Sequence, residues 1–345
     1  MKKKILIGFI ILMSISVNAQ VTDVVTGINN LSRLLLDGNT LYYAAGDSVF
    51  KIDIAETSPT PQQLISGLSN PAGMAIDGNT LYIAEFGAQR ISTIDVSDSN
   101  PSRLDFIIGL NTPNDLLLNG NYLYYSDNNS HFVKRIDITE TNPAAELIAT
   151  DNSFLPIGLA IQGNILYIAN PIGDKIVQVD VTDSNTQPTD LVVGVDQPLG
   201  IAIDGDFLYI AERDDDLIST TNISESSDDV TDLITGLNTP IDIAISNSEI
   251  FIAEYGSNKI SKFERQLGID DFFKDKIRIN PNPAENFIEI AMLSETVKYK
   301  IFNISGEQLL KGSIRPMELL DVSDLSSGIY LLKISGKQTV KFIKK

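Results

Sequence analysis

The chain has 345 residues, no cysteine, no tryptophan, one histidine (His131) and a formal net charge of −19. The lack of cysteine excludes disulfide frameworks, thiolate zinc sites and cysteine nucleophiles, and a single histidine excludes a multi-histidine metal site. The charge is uneven: residues 20–267 hold 11 Lys+Arg against 35 Asp+Glu, a net of −24, whereas residues 268–345 hold 12 against 10. Because the acidic region repels phosphate backbones and anionic lipid, we expect no nucleic-acid partner.

The first residues have the pattern of an export signal. Lys2–Lys4 form a positive n-region, Ile5–Ile15 form an apolar stretch, and Val17–Ala19 place small or compact residues where a signal peptidase cuts. The apolar stretch is shorter than the roughly 20 residues that a membrane-spanning helix needs. We therefore predict a signal peptide over residues 1–19 and no transmembrane segment in the mature chain. The alternative is an anchor that is retained.

The central region repeats itself. An apolar hexad of the Leu-Tyr-Ile-Ala type occurs six times, at spacings of 40, 42, 43, 42 and 42 residues. The hexads begin at Leu41, Leu81, Leu123, Leu166, Leu208 and Ile250. A residue that tolerates positive φ precedes each hexad, as a tight hairpin requires. These residues are Gly38, Gly78, Gly120, Gly163, Gly205 and Asn247. Four short strands per period, without helical spacing, predict a six-bladed β-propeller over residues 20–265.

The ring of blades also has a predicted closure. The sixth copy ends near Phe263 without a fourth strand, yet Val21–Ile28 closely matches Val230–Leu237, which is a fourth strand. We therefore predict that the mature N-terminal segment completes the sixth blade and covers an edge that would otherwise pair with neighbours.

A family resemblance supports this architecture. Pro71–Asp77, Leu81–Glu85 and the pair Arg90-Ile91 resemble the NHL-repeat class of propellers. Much of the same pattern occurs in the gluconolactonase-like, or regucalcin-like, six-bladed propellers. The resemblance covers about residues 21–265 and implies an all-β propeller. It leaves the activity open, because this fold hosts both enzymes and passive binding platforms.

A different domain follows the propeller. Residues 266–275 read as a linker, and alternating apolar and polar residues over 276–345 predict a small antiparallel β-sandwich. The segments Pro281–Pro283, Asn303–Gly306, Asp321–Tyr330 and Lys341–Lys345 closely resemble the type A sorting domain carried by cargo of the type IX secretion system in the Bacteroidetes. Asn280 departs from the aromatic residue that often precedes the first of these motifs.

The resemblance implies recognition by the type IX translocon and sorting machinery, removal of the domain, and release from the cell or anchoring at its surface. The residues that carry this sorting signal are Pro281, Asn282, Pro283, Gly306, Gly328, Tyr330, Lys344 and Lys345. The alternative is an adhesive β-sandwich whose lysine-rich end serves solubility.

Two rings of residues are expected at one mouth of the propeller channel, because the loops between second and third strands open on the face where the innermost strands begin. The second strands end at Ala45, Glu85, Asp127, Asn170, Glu212 and Glu254. The innermost strands are entered at Arg33, Gly73, Asp115, Gly158, Gly200 and Asp242. The polar members of both rings form the predicted ligand site: Arg33, Glu85, Asp115, Asp127, Asn170, Glu212, Asp242 and Glu254.

These oxygens allow two interpretations. Carboxylate and amide oxygens are the ligands of calcium or another divalent cation, with Asp127, Asn170 and Glu212 as metal candidates and Arg33 available to a bound anion. The gluconolactonase-like propellers hold a divalent metal at such a mouth. We favour a second interpretation, in which the acidic residue caps the following turn, because a structural role recurs in every blade whereas a site is needed once.

Two functions remain open. The first is a non-enzymatic binding or scaffold module, secreted or displayed on the cell surface, with an unidentified protein or small-molecule ligand near Phe86, Tyr124, Arg213 and Tyr255. The second is a metal-dependent, lactonase-like hydrolase whose ion polarises a carbonyl or activates water. We place His131 in the longest loop between second and third strands, Asp127–Lys134, as a solvated residue.

Overall fold

The computed structural model of the chain describes residues 21–141, 143–151, 153–183, 187–224, 229–246, 248–265, 278–291, 296–303, 308–316, 318–334 and 339–345. The predicted signal peptide, the predicted linker, Asn247 and Gly306 lie outside the described residues. The chain divides into two compact units, 1–265 and 266–345. Among the described residues, no helix is sufficiently long and apolar to cross a membrane.

The described part of the first unit consists of six four-stranded antiparallel sheets. The first strand is β1 (Val21–Thr26). Blade 1 contains β2 (Leu31–Asp37), β3 (Thr40–Ala45), β4 (Ser48–Asp53) and β5 (Gln62–Ile65). Blade 2 contains β6 (Pro71–Asp77), β7 (Thr80–Glu85), β8 (Arg90–Asp95) and β9 (Leu104–Ile108). Blade 3 contains β10 (Pro113–Asn119), β11 (Tyr122–Asp127), β12 (Phe132–Asp137) and β13 (Glu146–Thr150).

The remaining blades repeat this order. Blade 4 contains β14 (Leu159–Gln162), β15 (Ile165–Asn170), β16 (Lys175–Asp180) and β17 (Thr189–Val193). Blade 5 contains β18 (Pro198–Asp204), β19 (Phe207–Glu212), β20 (Leu217–Asn222) and β21 (Val230–Thr235). Blade 6 contains β22 (Pro240–Ile245), β23 (Glu249–Glu254), β24 (Lys259–Glu264) and, from the other end of the chain, β1. This topology confirms the predicted six-bladed β-propeller.

The hydrophobic cores lie between neighbouring blades. Six clusters of buried residues each join two adjacent blades; in one of them Tyr42 and Ala44 of blade 1 meet Met74, Leu81 and Ile83 of blade 2. Both faces of the second strand are therefore covered, and for this reason the hexads are apolar throughout instead of alternating.

The closure of the ring is as predicted. Strand β1 pairs antiparallel with β24, from Val21 opposite Phe263 to Thr26 opposite Lys259, with a bulge between Asp23 and Val25. The N-terminal strand thus supplies the outermost position of blade 6 and pairs the edge of β24.

The second unit is a two-layer β-sandwich. Its strands are β25 (Arg278–Asn280), β26 (Phe287–Ala291), β27 (Val297–Asn303), β28 (Gln308–Ile314), β29 (Leu319–Asp321), β30 (Gly328–Ile334) and β31 (Thr339–Lys344). The described strands form a three-stranded sheet, β25-β26-β29, and a four-stranded sheet, β28-β27-β30-β31. Ile288 of the first sheet shares a core with Ile301, Leu332 and Phe342 of the second.

Candidate functional site at the channel mouth

Arg33 reaches across the channel mouth from the start of the innermost strand of blade 1. Its Nη1 donates to the carbonyl oxygen of Ile241 (3.2 Å) and to Asp242 Oδ1 (3.3 Å) in blade 6. Its Nη2 donates to Asn114 Oδ1 (2.8 Å) in blade 3. The buried guanidinium therefore links blades 1, 3 and 6. Arg33 was expected to be available to a bound anion, whereas its hydrogen bonds are made to protein groups.

The glycines of this ring make room for the aspartates beside them. A Cβ placed on Gly200 would lie 2.3 Å from Asp242 Oδ1, and one placed on Gly73 would lie 2.5 Å from the Cα of Asp115. Heavy atoms cannot approach so closely, so only glycine fits where these strands meet. Gly73 and Gly200 are thus required by the packing against Asp115 and Asp242.

Burial shapes the titration of the two aspartates. Burial raises the pKa of Asp242 from 3.8 to about 6, although the charge of Arg33 acts in the opposite direction. Burial likewise raises the pKa of Asp115, and Arg33 again opposes the shift. Asp242 Oδ2 accepts the backbone N–H of Leu34 (2.7 Å), and Asp115 Oδ2 accepts that of Leu159 (2.8 Å). Each carboxylate therefore forms a hydrogen bond between its own blade and the next one.

The second ring consists of buried caps on backbone turns. Glu85 accepts the N–H of Ser69 (2.9 Å), and Arg90 forms two hydrogen bonds to the same carboxylate (2.8 and 2.9 Å). Glu254 accepts the N–H of Asn238 (3.1 Å) in the same way. The sequence predicted a cap on the following turn, whereas these acids cap the link that precedes the innermost strand of their own blade. That link lies beside the end of the second strand, and its N–H groups need acceptors there.

The three metal candidates also serve as caps. Asp127 accepts the N–H groups of Asn111 (2.8 Å) and Thr112 (3.0 Å) in the link before its blade. It also accepts the N–H of Ser130 (3.3 Å) in the turn that follows, as the sequence predicted. Asn170 accepts the N–H of Leu155 (3.0 Å), and Glu212 accepts that of Asp196 (2.8 Å). Burial raises the pKa of Glu212. Within the described residues no three or more acidic or histidine side chains are grouped to hold a metal ion.

Two expectations about neighbouring residues are wrong. Tyr124 is 1% exposed and belongs to a core between blades 3 and 4, so it does not line the mouth. His131 does not lie in an exceptionally long loop, because the loop of blade 3 has four residues, as most blades have. His131 is the last of these four and has a left-handed backbone conformation with φ 55°. Its Nδ1 lies 2.5 Å from the carbonyl oxygen of Phe154. Sequence spacing could not show that Phe132 already begins the next strand.

Blade 1 differs from the other blades at this face. Its second and third strands are joined by only two residues, Gly46 and Asp47. The other five blades use four residues: Phe86–Gln89, Asn128–His131, Pro171–Asp174, Arg213–Asp216 and Tyr255–Asn258. This two-residue difference produces the single short spacing of 40 residues between hexads. Blade 1 also ends its second strand with Ala45 in place of a capping oxygen.

A depression lies above the short loop. It has a volume of about 530 Å³, and its lining includes Asn30, Asn70 and Asn114 together with the loop residues Gly46 and Asp47. Phe86 of blade 2 and Tyr255 of blade 6 also line it, and they are 38% and 48% exposed. The sequence analysis identified the two aromatic residues but missed the asparagines. The spacing of 40 residues between the first two hexads could have pointed to the short loop beside which they lie. Arg213, the remaining predicted residue of this face, pairs with Asp214 (2.7 Å).

The sorting-signal residues come together in the second unit. Asn282 Oδ1 accepts the N–H of Ile343 (2.9 Å), and Ala284 exchanges backbone hydrogen bonds with Ile343 and Lys345 (2.7 and 2.8 Å). The Pro281–Pro283 motif therefore fixes the last strand, β31. Gly328 pairs with Lys344 in the sheet. Tyr330 stacks on Phe342 with ring centroids 5.6 Å apart and donates its hydroxyl to the carbonyl of Ser326 (2.7 Å).

Comparisons with known families agree with both units. Residues 278–345 match the secretion system C-terminal sorting domain. Residues 65–112 and 199–219 match the LVIVD repeat. The chain thus carries a sorting domain of the type IX secretion system behind a repeat propeller, which indicates export to the cell surface or the medium. No curated protein sequence matches the chain.

Solved structures with the same fold are distant in sequence. Virginiamycin B lyase from Staphylococcus aureus is 13% identical, with a TM-score of 0.54 over 72% of this chain and 99% of that chain. A catalytically inactive histidine-to-alanine variant of that lyase, bound to quinupristin, is 18% identical, with a TM-score of 0.52 over 68% of this chain and 80% of that chain. A chain of the nidogen/laminin complex is 19% identical, with a TM-score of 0.52 over 59% of this chain and 80% of that chain. These likenesses show the propeller fold.

Proposed function

We propose that the protein is an exported binding module whose propeller takes its ligand in the depression above blade 1. One observation carries the proposal: the depression is where the repeat is broken. A feature needed for folding recurs in every blade, whereas a binding site is needed once. The caps on the other five second strands recur. The short loop at Gly46-Asp47 occurs in blade 1 only.

The lining of the depression suits recognition without chemistry. Phe86 and Tyr255 expose aromatic rings on opposite neighbours of blade 1, where their burial by a ligand would be favourable. Asn30, Asn70 and Asn114 add amide donors and acceptors. Aromatic rings combined with amides fit an uncharged polar ligand such as an oligosaccharide or a peptide segment.

The hydrolase alternative has less support from the same face. The side-chain oxygens of Asp127, Asn170 and Glu212, the candidates to hold a divalent ion, already accept backbone N–H groups in three separate blades. We therefore favour a binding or scaffold role.

A loop graft tests the binding site. Gly46-Asp47 is replaced in the full chain by the four residues Phe-Gly-Ala-Gln of blade 2, which should fill the depression and leave the strands unchanged. The wild type and the graft are then applied to one array of oligosaccharides and peptides. We expect probes that bind the wild type to be lost by the graft at an unchanged melting temperature.

A matched control separates this site from the rest of the face. The substitution Arg213→Ala alters the same face in blade 5, away from the depression, and should retain the array signals. Equal binding by the wild type and the loop graft would overturn the proposed site.

The export route has its own test. Deleting residues 276–345 should leave the protein in the periplasm of a type IX-competent bacterium, measured by cell fractionation. Unchanged delivery to the surface or medium would refute the role of the sorting domain.

A further inference from the structure

The four-stranded sheet of the sorting domain has one face in the core and one in solvent. Ile301, Leu332 and Phe342 point into the core and are fully buried. Their sequence neighbours point the other way, because side chains alternate across a strand. Lys300 and Lys333 are accordingly exposed. Within the described residues of this unit, no further layer covers the outer face.

Three lysines form a row across the outer face. Lys300 on the central strand β27 is directly opposite Lys311 on β28 and directly opposite Lys333 on β30. Adjacent strands lie about 4.8 Å apart, so the row spans only about 10 Å. Lys298, two residues along β27, also lines the shallow groove that runs past this row. Among the described residues, no carboxylate lies within 4 Å of any of these four ammonium groups.

The arrangement costs the domain stability. Like charges placed directly opposite each other in a sheet destabilise it, and the row contains two such pairs, Lys300 with Lys311 and Lys300 with Lys333. Interspersed charges would give the same solubility without this repulsion. A feature that opposes folding in this way points to a requirement outside the fold.

An aliphatic patch adjoins the row. Ile329, Leu331 and Ile343 are 37–44% exposed, and Ile329 is directly opposite Ile343. Leu331 is directly opposite Phe302 on β27, one step along the strands from the lysine row. The outer face therefore carries the lysine row and an adjoining aliphatic patch, and the exposed Lys341 is directly opposite Leu331 of that patch.

We propose that this outer face docks onto an acidic protein surface of the export machinery, with carboxylates against the lysine row and an apolar strip against the aliphatic patch. The inference rests on the export role of the sorting domain. Charge complementarity selects an anionic partner. The adjoining aliphatic patch selects a protein over a polyanionic polysaccharide, because such a polymer offers little apolar surface to bury the isoleucines.

The test uses the full chain with three substitutions, Lys300→Gln, Lys311→Gln and Lys333→Gln. We expect export to fall about tenfold, because charges at an interface mainly set the rate and specificity of association. We expect the melting temperature of the sorting domain to rise, because two repulsive pairs are removed. Greater stability with weaker export distinguishes a docking surface from a structural role, since misfolding would lower both.

Two controls match the change. Arginine at the same three positions keeps the charge and should keep export. The triple variant Lys51→Gln, Lys134→Gln and Lys175→Gln removes the same charge from the propeller and should also be exported normally.

The outcomes separate this inference from the export role itself. If deletion of residues 276–345 leaves export unchanged, the export role fails. If that deletion blocks export but the triple glutamine variant is exported like the wild type, the docking surface alone is wrong. Normal export of the glutamine variant, combined with loss of its binding to dextran sulfate, would assign the row to a polyanion and overturn the proposal.

Discussion

The buried carboxyl of Asp242 connects the channel mouth to a measurable pH dependence. Burial raises its pKa to about 6, against 3.8 for an ordinary aspartate. The native state therefore binds this proton more tightly than the unfolded chain. The resulting stability is fully present below pH 3.8 and is lost as the pH rises through about 6.

The magnitude follows from the size of the shift. A displacement of about two pKa units corresponds to about 3 kcal/mol of unfolding free energy at full protonation. At pH 4.5 the linkage relation gives about 2 kcal/mol relative to neutral pH. The charge of the neighbouring Asp115 also raises this pKa, so a difference between two proteins is needed to isolate the titration of Asp242.

Asp242→Asn provides that difference. The amide oxygen can still accept the N–H of Leu34, but the side chain no longer titrates. Urea unfolding of both proteins at pH 4.5 and 7.5 should show the wild type gaining about 2 kcal/mol more than the variant on acidification. Arg33→Met should move the wild-type transition to higher pH, because the charge of Arg33 lowers the pKa of Asp242. A constant difference between the wild type and Asp242→Asn across this pH range would refute the reasoning.

Three further predictions concern other parts of the molecule. Glu85→Ala removes the buried acceptor of the Ser69 N–H and leaves the partly buried Arg90 with Asp105 as its acidic partner, so it should cost about 1–3 kcal/mol in urea unfolding. Glu85→Gln, which keeps an acceptor for the cap, should cost less. Removing Val21–Ile28 exposes the edge of blade 6 and should produce dimers or aggregates in size-exclusion chromatography; a stable monomer would contradict the closure. Asn282→Ala loses the hydrogen bond to β31 and should lower the stability of the sorting domain by about 1 kcal/mol in thermal unfolding.

The fold could be predicted because its determinants are local and repeated. Each hexad is apolar throughout because blades cover both of its faces, and a glycine such as Gly78, with φ 55°, marks the hairpin before it. The partner of Val21–Ile28 was also within reach, since a missing fourth strand and an extra matching segment stand at opposite ends of the repeat. The sorting domain was recognised from its sequence motifs. That Asn282 of the Pro281–Pro283 motif binds the last strand could be seen only in the structure.

The site was less accessible because it depends on contacts between distant residues. The acidic ends of the second strands could be placed at the mouth, but their partners lie about sixteen residues upstream, as Glu85 and Ser69 show. Tyr124 is the second residue of its hexad, and because neighbouring blades cover both faces of that strand it lies in the core between blades 3 and 4 instead of at the mouth. The depression exists because the loop of blade 1 is two residues shorter than the loops of the other blades. The sequence shows this shortening, but only the structure shows that residues of the neighbouring loops surround it.

Blade 1 concentrates three departures from the repeat, and they act on one place. The loop Gly46-Asp47 lowers the surface, Ala45 leaves the second strand without a capping oxygen, and Arg33 replaces the glycine or aspartate found at the start of the other innermost strands. Arg33 holds Asn114, which lines the depression, through a hydrogen bond of 2.8 Å. Because the same guanidinium also binds Asp242, the inner wall of the depression is fixed by the network whose charge changes near pH 6. Ligand binding in the depression and protonation of Asp242 should therefore be coupled, so a ligand that contacts Asn114 should bind with different affinity at pH 5 and pH 7.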